Sequence, residues 1–200
     1  MRILDWNTSS SAEQCEALRR PALKDAAEVS AAARGIIERV RRDGDAALLT
    51  LTQQFDGVRL ESLAVTPQEF AAAEGAVTAE QHAAIERAIG NVRRFHAAQA
   101  SPPLRVETSP GVVCERFSVP IRAVGLYVPA GSAPLPSTAI MLAVPAALAG
   151  CPVKVMCTAP SRTGSANPAI LVAARKAGVE QIFKLGGARL HAVLATIYLK

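Results

Sequence analysis

Ile121-Arg-Ala-Val-Gly-Leu-Tyr-Val128, followed after a proline-rich turn by Ser137-Thr-Ala-Ile-Met-Leu-Ala-Val-Pro-Ala-Ala-Leu148, decides the fold. The first run is short, apolar and rich in β-branched and aromatic residues, which predicts a buried strand. The second predicts an apolar helix, with Ser137-Thr138 as its cap and Gly150 at its exit. Val153-Lys-Val-Met-Cys-Thr158 repeats the strand signature, and Asn167-Pro168 opens a further helix that reaches Gly178. Gln181-Ile-Phe-Lys-Leu185 is a third strand, and Gly186-Gly187 turns it towards another helix. Strand, helix, strand, helix, strand is an α/β order, and right-handed crossovers make such strands parallel. About three strands fall short of the four to six usual in a globular sheet. Both faces of a parallel sheet also need cover. The sequence therefore predicts an incomplete parallel sheet with flanking helices.

Upstream, residues 1–119 read as mostly helical. Ser11 begins a short segment that ends before Pro21, and residues 24–42 place Ala27, Ala31, Ile36, Ile37 and Val40 near one helical face. Asp43-Gly44-Asp45 is a stop followed by a cap, and Ala46–Phe55 is the next helix. Thr66-Pro67-Gln68-Glu69 has a cap, a proline at the first helical position and a capping-box acid. Thr78 with Gln81 begins another helix, running to about Ala100 and ended by Ser101-Pro102-Pro103. Val112–Val119 is strand-like, and Pro120 separates it from the decisive stretch. The organisation expected is a helical region over 1–119 and a parallel α/β region over 120–200.

Composition narrows the function classes. Of 200 residues, 50% are hydrophobic and 20% charged, and the net charge is +5, which argues against disorder. Residues 1–120 carry 14 basic and 16 acidic side chains, a net of −2; residues 121–200 carry eight basic residues and only Glu180, a net of +7. A single carboxylate excludes paired-carboxylate catalysis or an oxygen-rich metal cage from those 80 residues alone. A basic segment favours phosphate-bearing ligands. With aromatics at 4%, no stacking platform for nucleic acid is expected. Residues 123–153 lack charge, but Gly125, Pro129, Gly131, Pro134, Pro136, Pro145, Gly150 and Pro152 break the run too often for a membrane span. Cys15, Cys114, Cys151 and Cys157 form no C-x-x-C pair, and no secretory-type apolar leader begins the chain. Reduced thiols in a cytoplasmic protein follow, with Cys114, Cys151 and Cys157 as buried small hydrophobes.

Two strand-to-helix junctions carry the candidate site. In open α/β sheets, ligands sit beyond the carboxyl ends of strands, where helix N-termini face anions. Tyr127, at the end of the first strand, offers a ring to stack on a base and a hydroxyl as a polar handle. Gly186 and Gly187 stand at the second junction as backbone contacts for phosphate. Arg189, two residues on, is placed to pair with it. The spacing is neither G-x-G-x-x-G nor a P-loop, and ordinary turn chemistry accounts for the same glycines and prolines. His82 and His96 are 14 residues apart on one predicted helix, too far for a shared metal ion, and no ligand cluster is evident.

The run Pro120-Ile-Arg-Ala-Val-Gly-Leu-Tyr-Val-Pro-Ala-Gly-Ser-Ala-Pro-Leu-Pro-Ser-Thr138 and its continuation to Cys151 resemble the histidinol dehydrogenase family. So do Ala174–Gly178, Val179-Glu-Gln-Ile-Phe183 and Gly186-Gly187-Ala188, and upstream Val40-Arg-Arg-Asp-Gly-Asp-Ala-Ala-Leu48 and Phe55-Asp-Gly57. The resemblance implies Rossmann-like domains and an NAD-dependent, zinc-containing enzyme. It implies oxidation of L-histidinol through L-histidinal to L-histidine with two NAD molecules in succession, in full-length homodimers whose sites are completed across subunits. It puts an NAD contact at Tyr127 and a second at Arg189, where the family has glutamine; guanidinium only donates hydrogen bonds, whereas an amide also accepts them. The family's zinc ligands, a third NAD contact and a Glu-His acid/base pair fall beyond the last residue, so none is assigned here. The resemblance fades after Ala188, which points to a truncated product without turnover of its own. The other reading is a non-catalytic remnant that binds dinucleotide or associates with other subunits.

Overall fold

The computed structural model describes residues 4–19, 26–130 and 133–187. They divide into two compact units, residues 1–34 and 35–200. The first contains α1 (Ser11–Leu18), opened by a capping box between Ser10 and Glu13. The second contains the sheet.

The predicted stops and caps act as local chemistry requires. Helix α2 (Ala26–Asp56) leaves helical geometry at Gly44, with φ 58° and ψ −137°, within the predicted Asp-Gly-Asp stop. Thr66 and Glu69 form the capping box of α3 (Pro67–Ala76), and Thr78 and Gln81 that of α4 (Ala79–Ala97). Each satisfies two orphan helix-end groups reciprocally. A strand not expected from the sequence follows: β1 (Leu104–Ser109) pairs antiparallel with β2 (Val112–Arg116) through Gly111, at φ 80°. Its signal was the alternation Leu104, Val106, Thr108 before Pro110-Gly111. Cys114, expected to be buried, is exposed, because the hairpin is exposed along both strands.

The parallel sheet is as predicted. β3 (Ala123–Val128), β4 (Val153–Thr158) and β5 (Gln181–Lys184) lie in that order, with Tyr127 opposite Cys157 and Cys157 opposite Phe183. Helices α5 (Pro136–Leu148) and α6 (Pro168–Lys176) make the crossovers. On one face Leu126, Val128, Met156 and Ile182 meet α3, α4, α5 and α6 through Phe70, Ile85, Ile89, Ile140, Val144, Ile170 and Leu171. On the other face Cys157, Leu185, Tyr127 and Phe183 meet Val40, Leu48 and Leu51 of α2 and Val58, Leu60 and Leu63. The second face, expected to lack cover, is thus packed by a helix from far upstream. Residues 63–65 also cover the outer edge of β5: the Val65 N–H donates to the Ile182 carbonyl (2.9 Å), and the Lys184 N–H to the Leu63 carbonyl (2.7 Å). Gly164, at φ 84°, lets the loop before α6 approach this segment; a Cβ there would sit 3.2 Å from Leu60.

Two helix starts differ. Asn167 caps α6 as expected, its Oδ1 accepting from the Ala169 and Ile170 N–H groups at 3.0 and 3.3 Å. Asn167→Ala is expected to lower unfolding free energy by about 1 kcal/mol, read as a shifted urea midpoint at unchanged slope. Helix α5, expected to be capped by Ser137-Thr138, starts at Pro136, with Leu135 as its N-cap and no side-chain cap. Proline's fixed φ suits the first helical position, which draws Ser137 and Thr138 into the first turn.

Candidate functional site

The carboxyl ends of β3, β4 and β5 gather the predicted residues. Tyr127 is the penultimate residue of β3, half-buried against the second-face core. The Gly187 N–H donates to its hydroxyl oxygen at 3.5 Å, across 60 residues of chain. Gly186 and Gly187 follow β5 after Leu185, and Gly187 adopts φ 60°, a left-handed turn that suits glycine. Two of the motifs read from sequence therefore meet at one end of the sheet. Arg189 lies outside the described residues.

The start of α5 and the last residues of β4 and β5 stand at the same end of the sheet. The first turn of α5 begins beyond the end of β3; among the described residues no side chain caps it, Pro136 has no N–H, and the Thr138 N–H donates to the Leu135 carbonyl at 3.0 Å. Lys184, the last residue of β5, is 8% exposed and donates to Glu69 Oε1 at 2.8 Å. Burial by itself pushes the Glu69 carboxyl up. The Lys184 hydrogen bond and charge, with the Thr66 N–H and hydroxyl, outweigh this and hold it below the ordinary glutamate value. Thr158, the last residue of β4, is completely buried, and among the described residues its hydroxyl has no hydrogen-bond partner. Sequence reasoning passed over it; the signal was a hydroxyl closing an otherwise apolar strand end.

Other candidates lie elsewhere or are inert. A cavity of about 590 Å³ opens between α2 and the second face of the sheet, lined by Leu48, Leu63, Val155, Phe183 and Leu185 with Asp45 and Glu61. Tyr127, Gly186 and Gly187 do not line it. Burial pushes the Cys157 thiol up to about 12, so it stays protonated and unreactive at neutral pH. Among the described residues no three His, Cys, Asp or Glu side chains gather as a metal site, and no helix is long and apolar enough to cross a membrane.

Parallel strands joined by helices, with polar and glycine contacts collected at the strand ends, define an α/β protein of the ligand-at-strand-end kind. The histidinol dehydrogenase family model matches residues 18–198, and the chain belongs to that family. The match carries the resemblance past Ala188, where the sequence reading expected it to fade. The chain is 54% identical over 195 residues to histidinol dehydrogenase of Xanthomonas axonopodis pv. citri, covering 98% of this chain and 45% of that one. It is 44% identical to the enzyme of Vibrio vulnificus, covering 98% and 44%. The crystal structure of histidinol dehydrogenase from Elizabethkingia anophelis superposes with a TM-score of 0.86 at 37% identity, over 92% of this chain and 42% of that one. The chain spans about 45% of the length of the curated relatives it matches.

Proposed function

We propose that this chain supplies the NAD-contacting part of a histidinol dehydrogenase, a cytoplasmic enzyme oxidising L-histidinol through L-histidinal to L-histidine. In this reading residues 120–200 hold the cofactor and residues 1–119 are the mostly helical remainder. The observation that carries it is the meeting of Tyr127 with Gly187 at the strand ends, in a chain of this family. The site fits a dinucleotide: Tyr127 would hold a ring, while the Gly186-Gly187 turn and the first turn of α5 would face the phosphates. When bound, NAD supplies the oxidising capacity of the reaction. The chain's own share is binding and orientation; the sheet fixes the Tyr127 ring on one strand and the glycine turn on another. Zinc is assigned to no residue here, because the described residues gather no ligand set.

Calorimetric titration of NAD into the whole chain tests this. Binding is expected, with affinity unchanged by added zinc and lowered about tenfold in Tyr127→Ala, of the order expected for losing a stacked ring and its hydroxyl contact. No heat from the wild-type chain would reject the reading. Histidinol-dependent NADH formation is expected to be absent from the isolated chain, since no acid/base pair is assigned within it; turnover would show that a complete reactive centre lies in these 200 residues.

A second reading, subunit association, is favoured by the β1–β2 hairpin. Leu104, Val106 and Val112 are exposed there, as are Phe117, Val119 and Ile121 after it. A two-stranded ribbon is marginal alone in water. Packing against a second copy would cover it, in keeping with the homodimers of the resemblance. A sedimentation profile that stays monomeric as concentration rises would reject this reading.

A further inference from the structure

Lys184 and Glu69 form a buried ion pair at the end of β5, where the fold has no need of a charge. Lys184 follows Ile182 at the two-residue period of the strand, on the face where Ile182 meets the apolar core. An apolar side chain there would avoid desolvating an ammonium, and replacing a buried pair by apolar residues is often neutral or stabilising. What the pair adds is a fixed position. Glu69 is held by the start of α3, its Oε2 accepting from the Thr66 N–H at 2.8 Å, while its Oε1 accepts from Lys184 Nζ at 2.8 Å. The backbone ties the same stretch, through the Val65 N–H to the Ile182 carbonyl and the Lys184 N–H to the Leu63 carbonyl. Lys184, the last residue of β5, is thus fixed by both its backbone and its side chain. Two residues further on comes Gly186-Gly187, which carries no side chain to set the direction of the turn and has the widest choice of backbone angles. The candidate site needs one direction, the one that sets the Gly187 N–H 3.5 Å from the Tyr127 hydroxyl oxygen.

We propose that Lys184 and Glu69 are positioning residues for the cofactor site, holding the end of β5 so that the Gly186-Gly187 turn stands against Tyr127 before the dinucleotide arrives. The proposal rests on the NAD reading above and adds two residues that the sequence reading did not place in the site. Neither touches the cofactor; both act through the turn. Contacts that are ordered in advance cost less binding free energy to order, so loosening the turn weakens binding. An ion pair suits this task because it ties one side chain to one partner, whereas apolar contacts in the same space accept several arrangements.

Calorimetric titration of NAD into whole-chain variants tests the proposal. Lys184→Met is expected to melt within about 5 °C of wild type, since the buried charge and its need for a partner go together. Its affinity for NAD is expected to fall about fivefold, of the order of one lost hydrogen bond. Tyr127→Phe keeps the ring and removes the acceptor of the Gly187 N–H. In that background Lys184→Met is expected to weaken binding by less than about twofold, because the two changes act through one contact and do not add. Glu69→Gln, which breaks the pair from the other side, is expected to repeat both affinity results. Unchanged affinity in Lys184→Met would overturn the proposal. So would additive losses in the double variant, or a Lys184→Met chain that melts far below wild type, either of which marks a purely structural pair. Failure of the wild-type chain to bind NAD would instead remove the underlying reading, and the positioning role with it.

Discussion

Ile170→Ala is expected to lower the free energy of unfolding by about 3–4 kcal/mol. Ile170 lies in α6, fully buried among residues that include Met156 of β4 and Ile182 of β5. Truncation there removes the transfer free energy of the lost methyls and leaves a cavity that close packing cannot fully collapse. A protein of this size has only about 5–15 kcal/mol to lose. Each kcal/mol shifts the melting temperature by roughly 2–4 °C at this length, so a fall of about 6–16 °C is expected in a thermal melt. Met141→Ala, on the 62% exposed side of α5, is the matched control and is expected to stay within about 0.5 kcal/mol of wild type. Equal effects at the two positions would mean that the helical layer is not packed on the sheet as described.

Glu69→Gln is the second large effect, expected to cost about 2 kcal/mol at neutral pH. The variant leaves the Lys184 ammonium buried without its counter-charge, a cost of about 3–5 kcal/mol when a fully buried pair is broken. Glu69 is itself 23% exposed, and water reaching Lys184 from that side lowers the figure. Lys184→Met removes the buried charge together with its need for a partner, and is expected to cost less than Glu69→Gln. The pair also fixes a pH dependence. The Glu69 carboxyl is held below its ordinary value in the folded chain, so its contribution is fully present above the unfolded-state pKa of about 4.3. It is lost as the pH falls through the lower, folded value. Urea unfolding from neutral pH down to about pH 3 should therefore show a stability loss in the wild-type chain that is smaller in Glu69→Gln. Parallel pH profiles for the two would show that the ion pair does not stabilise the fold.

Much of the architecture was legible because its signals are local. The boxes at Thr66–Glu69 and Thr78–Gln81, the Asn167 cap and the break at Gly44 are each settled within a few residues of backbone. The parallel order of β3, β4 and β5 followed from apolar runs alternating with helices, since crossover connections have one hand. Of the candidate site, Tyr127 and the two glycines could be picked out because each stands where a strand turns towards a helix. Hairpin strand β1 was missed because four of its six residues are polar and none is buried, so only the short alternation of Leu104 and Val106 with polar residues marked it.

By itself, then, the sequence determined where most helices and the parallel strands begin, which of them cross over the sheet, and to which family the Tyr127 motif is similar. The tertiary structure alone decided which distant groups meet. Lys184 finds Glu69 across 115 residues, the Gly187 N–H finds the Tyr127 hydroxyl across 60, and residues 63–65 pair with β5. It also decided that α5 begins at Pro136 and that, among the described residues, no side chain caps it and the enclosed Thr158 hydroxyl has no partner. The reason is physical: caps and turns are hydrogen bonds between near neighbours in the chain, whereas burial and long-range pairing exist only once the layers have packed.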